Sequence, residues 1–325
     1  MRKRLRDKQG FALLLAVMVI GLLVAITLEF NAAMRDELMA SANMHDGITL
    51  KSTARSGVAL AMAVLQEHAV AEKADTLLDD WADGAFLSSL LSSLCMDGRG
   101  ELTITDTSRR ININRIVDES GAVNQRYTNL LRRFLGFEDF RLGREEIEDI
   151  LDAVTDWLDP DDEVTYFGAE NSYYMSLEKP YRCRNGPMQS IEELLLIKGI
   201  TPEIFYGIED IPGIARFLTV HGDGKVNINT AHPVVLWSLS ERMDFEMARD
   251  MAFYREDEDN DIRYNSWYKQ VPGMADISLD AGLVSVVSSH FEILSEGVKG
   301  KMRRGVSVVV EKSEQQLSLI SWKVE

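Results

Sequence analysis

Apolar positions recur on three different patterns along this chain. The first ten residues, MRKRLRDKQG, are polar, and the next eighteen, FALLLAVMVIGLLVAITL, contain no charge and no proline. Eighteen helical residues at about 1.5 Å each span about 27 Å, close to the roughly 30 Å hydrocarbon core of a bilayer. An amphipathic helical pattern continues from there, through EFNAAMRDELMASANM to STARSGVALAMAVLQEH. Residues 102–114, LTITDTSRRININ, alternate as a half-buried strand does, and KVNINT at 225–230 nearly repeats them. Three strand-like runs close the chain, FEILSEGVK, RRGVSVVVEK and LSLISWKV. Turns at Val298-Lys299-Gly300 and Ser313-Glu314-Gln315 separate them. Between the two ININ-type segments the period is helical, in RYTNLLRRFLGFED, REEIEDILDAVTDWL, SIEELLLIKGI and PEIFYGIED; HPVVLWSLSERMDFEMARDMAFYRE follows the second. The order helix, strands, helical insertion, strand, helices, strands predicts an α+β fold with helices spliced into a sheet.

Charge and motif content narrow the function. The chain has 325 residues, 52 acidic against 35 basic, and a formal net charge of −17. That balance argues against nucleic acid as a partner, because phosphate binding needs clustered Lys and Arg. The five histidines are scattered, with no HExxH, and no GxGxxG, P-loop or GxSxG motif occurs. The first ten residues carry five basic side chains and one acidic. Such a flank stays cytoplasmic, which puts everything after Glu29 on the far side of the membrane. An ordinary secretory signal is the plainer reading of this N-terminus. Against it, the apolar run is longer than a typical signal core and no A-x-A site ends it.

Gly10 directly precedes Phe11, the first apolar residue. A basic leader ending in Gly-Phe ahead of a membrane helix resembles the leader of type IV pilins and type II secretion pseudopilins. The resemblance implies that a prepilin peptidase cuts between Gly10 and Phe11, methylates the new amine and leaves the membrane helix in place. Most members of these families carry Glu five residues into the mature chain; here that position is Leu15. The most specific text is 156–205, DWLDPDDEVTYFGAENSYYMSLEKPYRCRNGPMQSIEELLLIKGITPEIF, followed by GKVNINTAHPVVLWSLS at 224–240. Its D-W-x-D-x-D-D block, Gly-Ala-Glu, Tyr-Tyr and Pro-Tyr-Arg closely resemble the minor pseudopilin K family of type II secretion, also called general secretion pathway protein K.

That resemblance implies a pilin-like antiparallel sheet carrying a large inserted helical domain of helix-hairpin-helix or SAM-like type. The segments expected are a cleaved leader (1–10), a transmembrane and pilin helix (11–68), the first part of the β domain (69–114), the helical insertion (115–222) and the return to the sheet (223–325). It implies a non-enzymatic subunit at the tip of the secretion pseudopilus, starting or capping its assembly. The protein would sit in the bacterial inner membrane with its C-terminal domain periplasmic. Its partners would be minor pseudopilins I and J and the major pseudopilin G.

Candidate chemistry is concentrated in one loop. Asp156, Asp159, Asp161, Asp162 and Glu163 crowd together, with Glu170 just beyond Gly168. Oxygen-only ligands in a flexible loop suit Ca²⁺ better than zinc. Spacing alone leaves a solvated acidic loop and a cation site both open, since no EF-hand pattern is present; the family resemblance implies a structural calcium. A second acidic run, Glu256 to Asp261, has Ile262 where an EF-hand needs Gly, and reads as a solvated linker. The turns around Gly199, Gly213 and Gly273 resemble helix-hairpin-helix turns; their acidic flanks favour simple turns between packed helices. Cys95 and Cys183 either pair, as cysteines outside the inner membrane often do, or remain buried thiols. Two other functions stay open: a membrane-anchored periplasmic enzyme using the clustered carboxylates, and a minor pilin of a type IV pilus.

Overall fold

The computed structural model describes residues 3–71, 73–95, 97–313 and 316–324. Arg2 of the basic leader, and Glu314 and Gln315 of the last turn, lie outside the described residues. Helix α1, Lys3–Ala71, is continuous. From Gly10 to Met44 its side chains are exposed, and α1 is the one described helix long and apolar enough to cross a membrane. Farther along, Leu50, Ala54, Val58, Ala61 and Leu65 are buried at three- and four-residue spacing, so one face of α1 lies on the protein. Phe30, Met34, Leu38 and Ile48 are exposed and, at 100° per residue, point away from that face.

Helix α2, Gly84–Ser93, starts at Asp83, whose side chain accepts the amides of Ala85 and Phe86 at 2.9 Å. It packs on strand β1, Arg99–Asp106. The chain then leaves the sheet and comes back far downstream as β8 (His290–Lys299), β9 (Met302–Lys312) and β10 (Leu317–Val324). The four strands form one antiparallel sheet in the order β1-β8-β9-β10. Ile104, Ile293 and Val308 sit in register across it and are buried together with Ala54, Val58 and Trp81. Helix α1 lies on β8 and β9. Two glycines allow this close approach: a side chain at Gly297 would meet the backbone of Leu50, and one at Gly57 would meet Ser295 and Leu91.

Everything between β1 and β8 forms a second, larger core. In chain order it holds β2 (Ile111–Asn112), α3 (Gln125–Leu135), α4 (Arg144–Leu158), α5 (Asn171–Tyr174), α6 (Pro202–Tyr206), β3 (Gly207–Ile208) and β4 (Ile211–Pro212). Then come β5 (Leu218–Thr219), β6 (Val226–Asn227), α7 (Pro233–Ser238), α8 (Phe245–Tyr254) and β7 (Val284–Ser285). Phe134 contacts Phe140 and Phe217 edge-on, at 5.0 and 5.7 Å between ring centroids, and Leu130, Val154, Val235 and Met251 are buried in the same cluster.

Two expectations are corrected here. The strand over 102–114 breaks at Asp106, whose carboxylate accepts the Ser108 amide at 2.7 Å and opens a 3₁₀ turn. Ile111–Asn112 beyond it pairs in parallel with β5, not with the sheet. KVNINT likewise does not return to the sheet, because Val226–Asn227 pairs in parallel with β7. Its asparagines are not solvent-facing strand positions. Asn227 and Asn229 are fully buried, and their side-chain amides bond Asp75, Asp106, Ser288 and Ile262. The segment between β1 and β8 is therefore longer than the helical stretch at 115–222. A smaller difference lies at SIEELLLIKGI, where only a 3₁₀ helix, Ile191–Leu196, forms.

Candidate metal centre

Helix α4 buries Ile147, Ile150, Leu151, Val154, Trp157 and Leu158 on one face. Pro160 ends it: the residue before a proline is pushed out of the helical region, and Asp159 is extended at φ −74°, ψ 159°. Asp156 thus lies in the last turn of α4 and Asp159 at its C-terminal cap, with no basic residue in that turn. Both carboxylates sit at the negative end of the helix dipole, where a cation is favoured.

The loop from 160 folds back and delivers Glu170 to the same place. The Glu170 carbonyl accepts the Tyr173 and Tyr174 amides at 2.8 and 3.1 Å, opening α5. Gly168 lies so close to Asp156 that any side chain there would overlap its carboxylate. One carboxylate oxygen from each of Asp156, Asp159 and Glu170 lies within 4.8 Å of the other two, and all three residues are buried. Asp159 Oδ1 and both carboxylate oxygens of Glu170 are buried with no hydrogen-bond partner. Burial, with Asp161 and Asp156 beside it, pushes the Asp159 carboxyl up to about 6. Burial and the charges of Asp156, Asp159 and Asp162 push Glu170 up to about 8. Three converging carboxylates without enough donors need protons or a cation to stay buried.

The other three candidate ligands do not converge. Asp161, Asp162 and Glu163 are exposed. Asp161 Oδ1 accepts the Glu163 amide at 2.9 Å, and Asp162 Oδ1 accepts Asn171 Nδ2 at 2.8 Å. Asn171 in turn accepts the Cys183 amide at 2.9 Å, which fastens 183 to the loop. The Glu256–Asp261 run gathers no further cluster of this kind among the described residues.

Two residues that hold the site were not singled out from the sequence. Asp152 Oδ2 accepts the Phe167 amide at 3.2 Å, one helical turn before Asp156. Lys198 Nζ donates to the carbonyls of Phe167 and Gly168 at 2.7 and 3.2 Å. The i, i+4 spacing of Asp152 and Asp156 was the available signal for the first; nothing local marks Lys198.

Of the two alternatives for the cysteines, the structure holds the free thiols. Both thiols are free, because they belong to different parts of the molecule. Cys95 follows α2, and its sulfur donates to the Leu91 carbonyl at 3.3 Å. Cys183 is buried in the larger core, with its sulfur 3.5 Å from the Asp156 carbonyl.

Residues 109–210 match the family model for type II secretion system protein K. The type II secretion system protein K of Klebsiella pneumoniae is 28% identical over 234 residues, covering 70% of this chain and 67% of the relative. That of Pectobacterium carotovorum subsp. carotovorum is 31% identical over 215 residues, covering 63% of this chain and 61% of the relative. The fold matches a chain in the crystal structure of the GspK-GspI-GspJ complex from enterotoxigenic Escherichia coli, with a TM-score of 0.67 at 16% identity, over 89% of this chain and 99% of that one. The long apolar helix, the antiparallel sheet and the helical insertion agree with these matches, and over most of its length the chain is similar to type II secretion system protein K.

Proposed function

We propose that this protein is a minor pseudopilin of type II secretion, held in the inner membrane by residues 11–28 with its folded body in the periplasm. It starts or caps the pseudopilus and performs no chemistry of its own. The observation that carries the reading is α1, one unbroken helix running from an exposed apolar span into the buried face of the sheet. Movement of the span in the membrane is then transmitted rigidly to the folded body. The exposed stripe of Phe30, Met34, Leu38 and Ile48 offers apolar area to neighbouring helices of the same kind. By likeness to a structure named for the GspK-GspI-GspJ complex, the partners are minor pseudopilins I and J, above the major pseudopilin G. A prepilin peptidase removes residues 1–10 and methylates Phe11.

We further propose that Asp156, Asp159 and Glu170 hold a calcium ion. The fit rests on three buried oxygens without partners, an all-oxygen donor set and the negative end of α4. Bound calcium supplies the positive charge that lets all three carboxylates ionise while buried. The chain's own part is to bring the end of α4 and the start of α5 together, with Gly168 leaving the room. The thiol beside the cluster gives an enzymatic use no support: burial pushes Cys183 up to about 12, so it stays protonated and unreactive.

Co-purification from membranes distinguishes the readings. Recovery with pseudopilins I and J supports the secretion role. Recovery only with subunits of a type IV pilus would move the protein to that system, and hydrolase activity lost with Asp156→Asn would restore the enzyme reading.

A further inference from the structure

His221 and His290 face each other across the seam between the inserted region and the sheet. His221 lies two residues after β5, and His290 is the first residue of β8. Their rings are nearly parallel, 14° apart, with centroids separated by 6.4 Å. Both residues are half-buried. Each element packed here contributes charge. Glu292 of β8 and Lys323 of β10 face His221. Glu311 of β9, Asp223 of the loop after His221, and Arg115 of the 113–115 turn face His290. Arg110 Nη1 holds Glu292 at 3.2 Å, which diverts part of that carboxylate's field. His290 Nδ1 sits 3.0 Å from Ser289 Oγ.

Thr107 Oγ1 donates across the seam to the His290 carbonyl at 3.0 Å, and the Lys312 amide to the Ser289 carbonyl at 2.6 Å, while the His221 loop is fastened within the inserted region. Asn112 Nδ2 and Arg115 Nη2 donate to the Gly222 carbonyl at 2.8 and 3.0 Å, one residue from His221. A cavity of about 140 Å³ opens beside His221, lined by Arg110, Glu292, Ser307 and Lys323 among others, and gives protons a route to the ring. We propose that the His221–His290 pair is an acid-sensitive joint, which keeps the inserted region seated on the sheet while both rings are neutral and loosens it when they are protonated.

Two imidazolium rings at this separation repel, and the half-buried seam has little water to screen them. Burial pushes His221 below its ordinary value; its neighbour His290 adds to that, and Glu292 opposes it. Burial also pushes His290 down, against the opposing pull of Glu311 and Asp223. A histidine depressed in the closed state contributes stability that is complete above its ordinary value of about 6.5. That contribution is lost as the pH falls through the closed-state value, because the open seam binds more protons. Acid therefore favours opening.

Amide exchange of the full chain in detergent tests this at residues 218–223 and 289–293, at pH 7.5 and 5.0, after correction for the intrinsic pH dependence of exchange. Opening of the wild type is expected to be several-fold greater at the lower pH, and the His221→Gln, His290→Gln double variant is expected to lose most of that change. An equal pH response in both proteins, or none in the wild type, would overturn the joint. Should the double variant fail to fold, NMR titration of the His221 ring decides. Its midpoint is expected below 6.5 in the wild type and higher in His290→Gln. A midpoint unmoved by the substitution would show that the rings do not interact.

Discussion

Asp75 and Lys312 form a buried ion pair, 2.6 Å from Oδ2 to Nζ, which ties the segment after α1 to the end of β9. His68 Nε2 lies 3.1 Å from the same carboxylate, and the Ser288 amide donates to it at 2.6 Å. Residues from the long helix, the sheet and the end of the insertion thus meet at one carboxylate. Burial alone would raise Asp75; the His68 bond and the Lys312 charge outweigh it and hold it below the ordinary carboxylate value. A carboxylate lowered in the folded state contributes stability that is complete above its unfolded value and is lost as the pH falls through its folded one. Removing one partner of a buried pair costs about 3–5 kcal/mol. Asp75→Asn is therefore expected to lower the melting temperature markedly at pH 7, with the gap to wild type shrinking below about pH 4. Melting curves at both pH values check this; a constant gap would show that Asp75 acts through packing alone.

The contact of α1 with β8 gives a second prediction. Gly297 has no room for a side chain against the Leu50 backbone. Gly297→Val forces helix and strand apart and is expected to destabilise by about 1–3 kcal/mol or more, as overpacking does. Gly300→Ala, in the open turn between β8 and β9, meets no neighbour and pays only for its positive φ of 59°. Denaturant unfolding of the two variants, compared with wild type, separates the effects.

Calcium binding to the folded state alone would stabilise it by about 2.7 kcal/mol at a hundredfold excess over Kd. A chelator is expected to lower the wild-type melting temperature. Asp159→Asn with Glu170→Gln should melt at the same temperature with and without chelator, because two of the three carboxylate charges that would hold the ion are gone. Asp162→Ala should keep the wild-type response, since Asp162 is exposed and bonded to Asn171. An identical curve for the wild type in calcium and in chelator would refute the site.

How far the sequence could be read depended on whether the relevant signal was local. The apolar run 11–28, the α4 stripe and the three closing strands each follow one period, and they appear where that period places them. The ININ segments mimic a strand, yet Asn112, Asn227 and Asn229 are buried and their side-chain amides bond residues up to 152 positions away, as in the Asn227–Asp75 bond. No local pattern reports such a partner. The acidic loop was legible as a cluster, but spacing could not divide the inward carboxylates from the outward ones. Pro160 and Gly168 make that division, by turning the chain and by leaving room.

Processing is expected at Gly10. A peptidase that cuts between Gly10 and Phe11 needs close backbone approach, which a residue without Cβ permits. Gly10→Val should leave the leader attached, giving a larger band in membranes and no mature N-terminus at Phe11. N-terminal sequencing of the wild type checks the position, and a start elsewhere would sink the assignment.

Leu15 bears on where the subunit sits in the fibre. It lies on the exposed apolar stretch of α1, five residues into the expected mature chain. Most pilin-like subunits carry Glu there, and the family resemblance implies that this Glu meets the N-terminal amine of the subunit above. That pair compensates for burying charge in lipid. This chain brings no carboxylate to the position, so it cannot register beneath another subunit in that way. It still offers its own Phe11 amine to the subunit below. Such a subunit is expected to begin or end a fibre and not to propagate one. Leu15→Glu is expected to leave assembly unchanged or weaken it, because the added charge has no partner at the tip. Cross-linking along sheared pseudopili reads the outcome: this protein should appear at one end, about one copy per fibre. Copies spaced along the shaft would overturn the tip position and leave only the likeness to type II secretion system protein K standing.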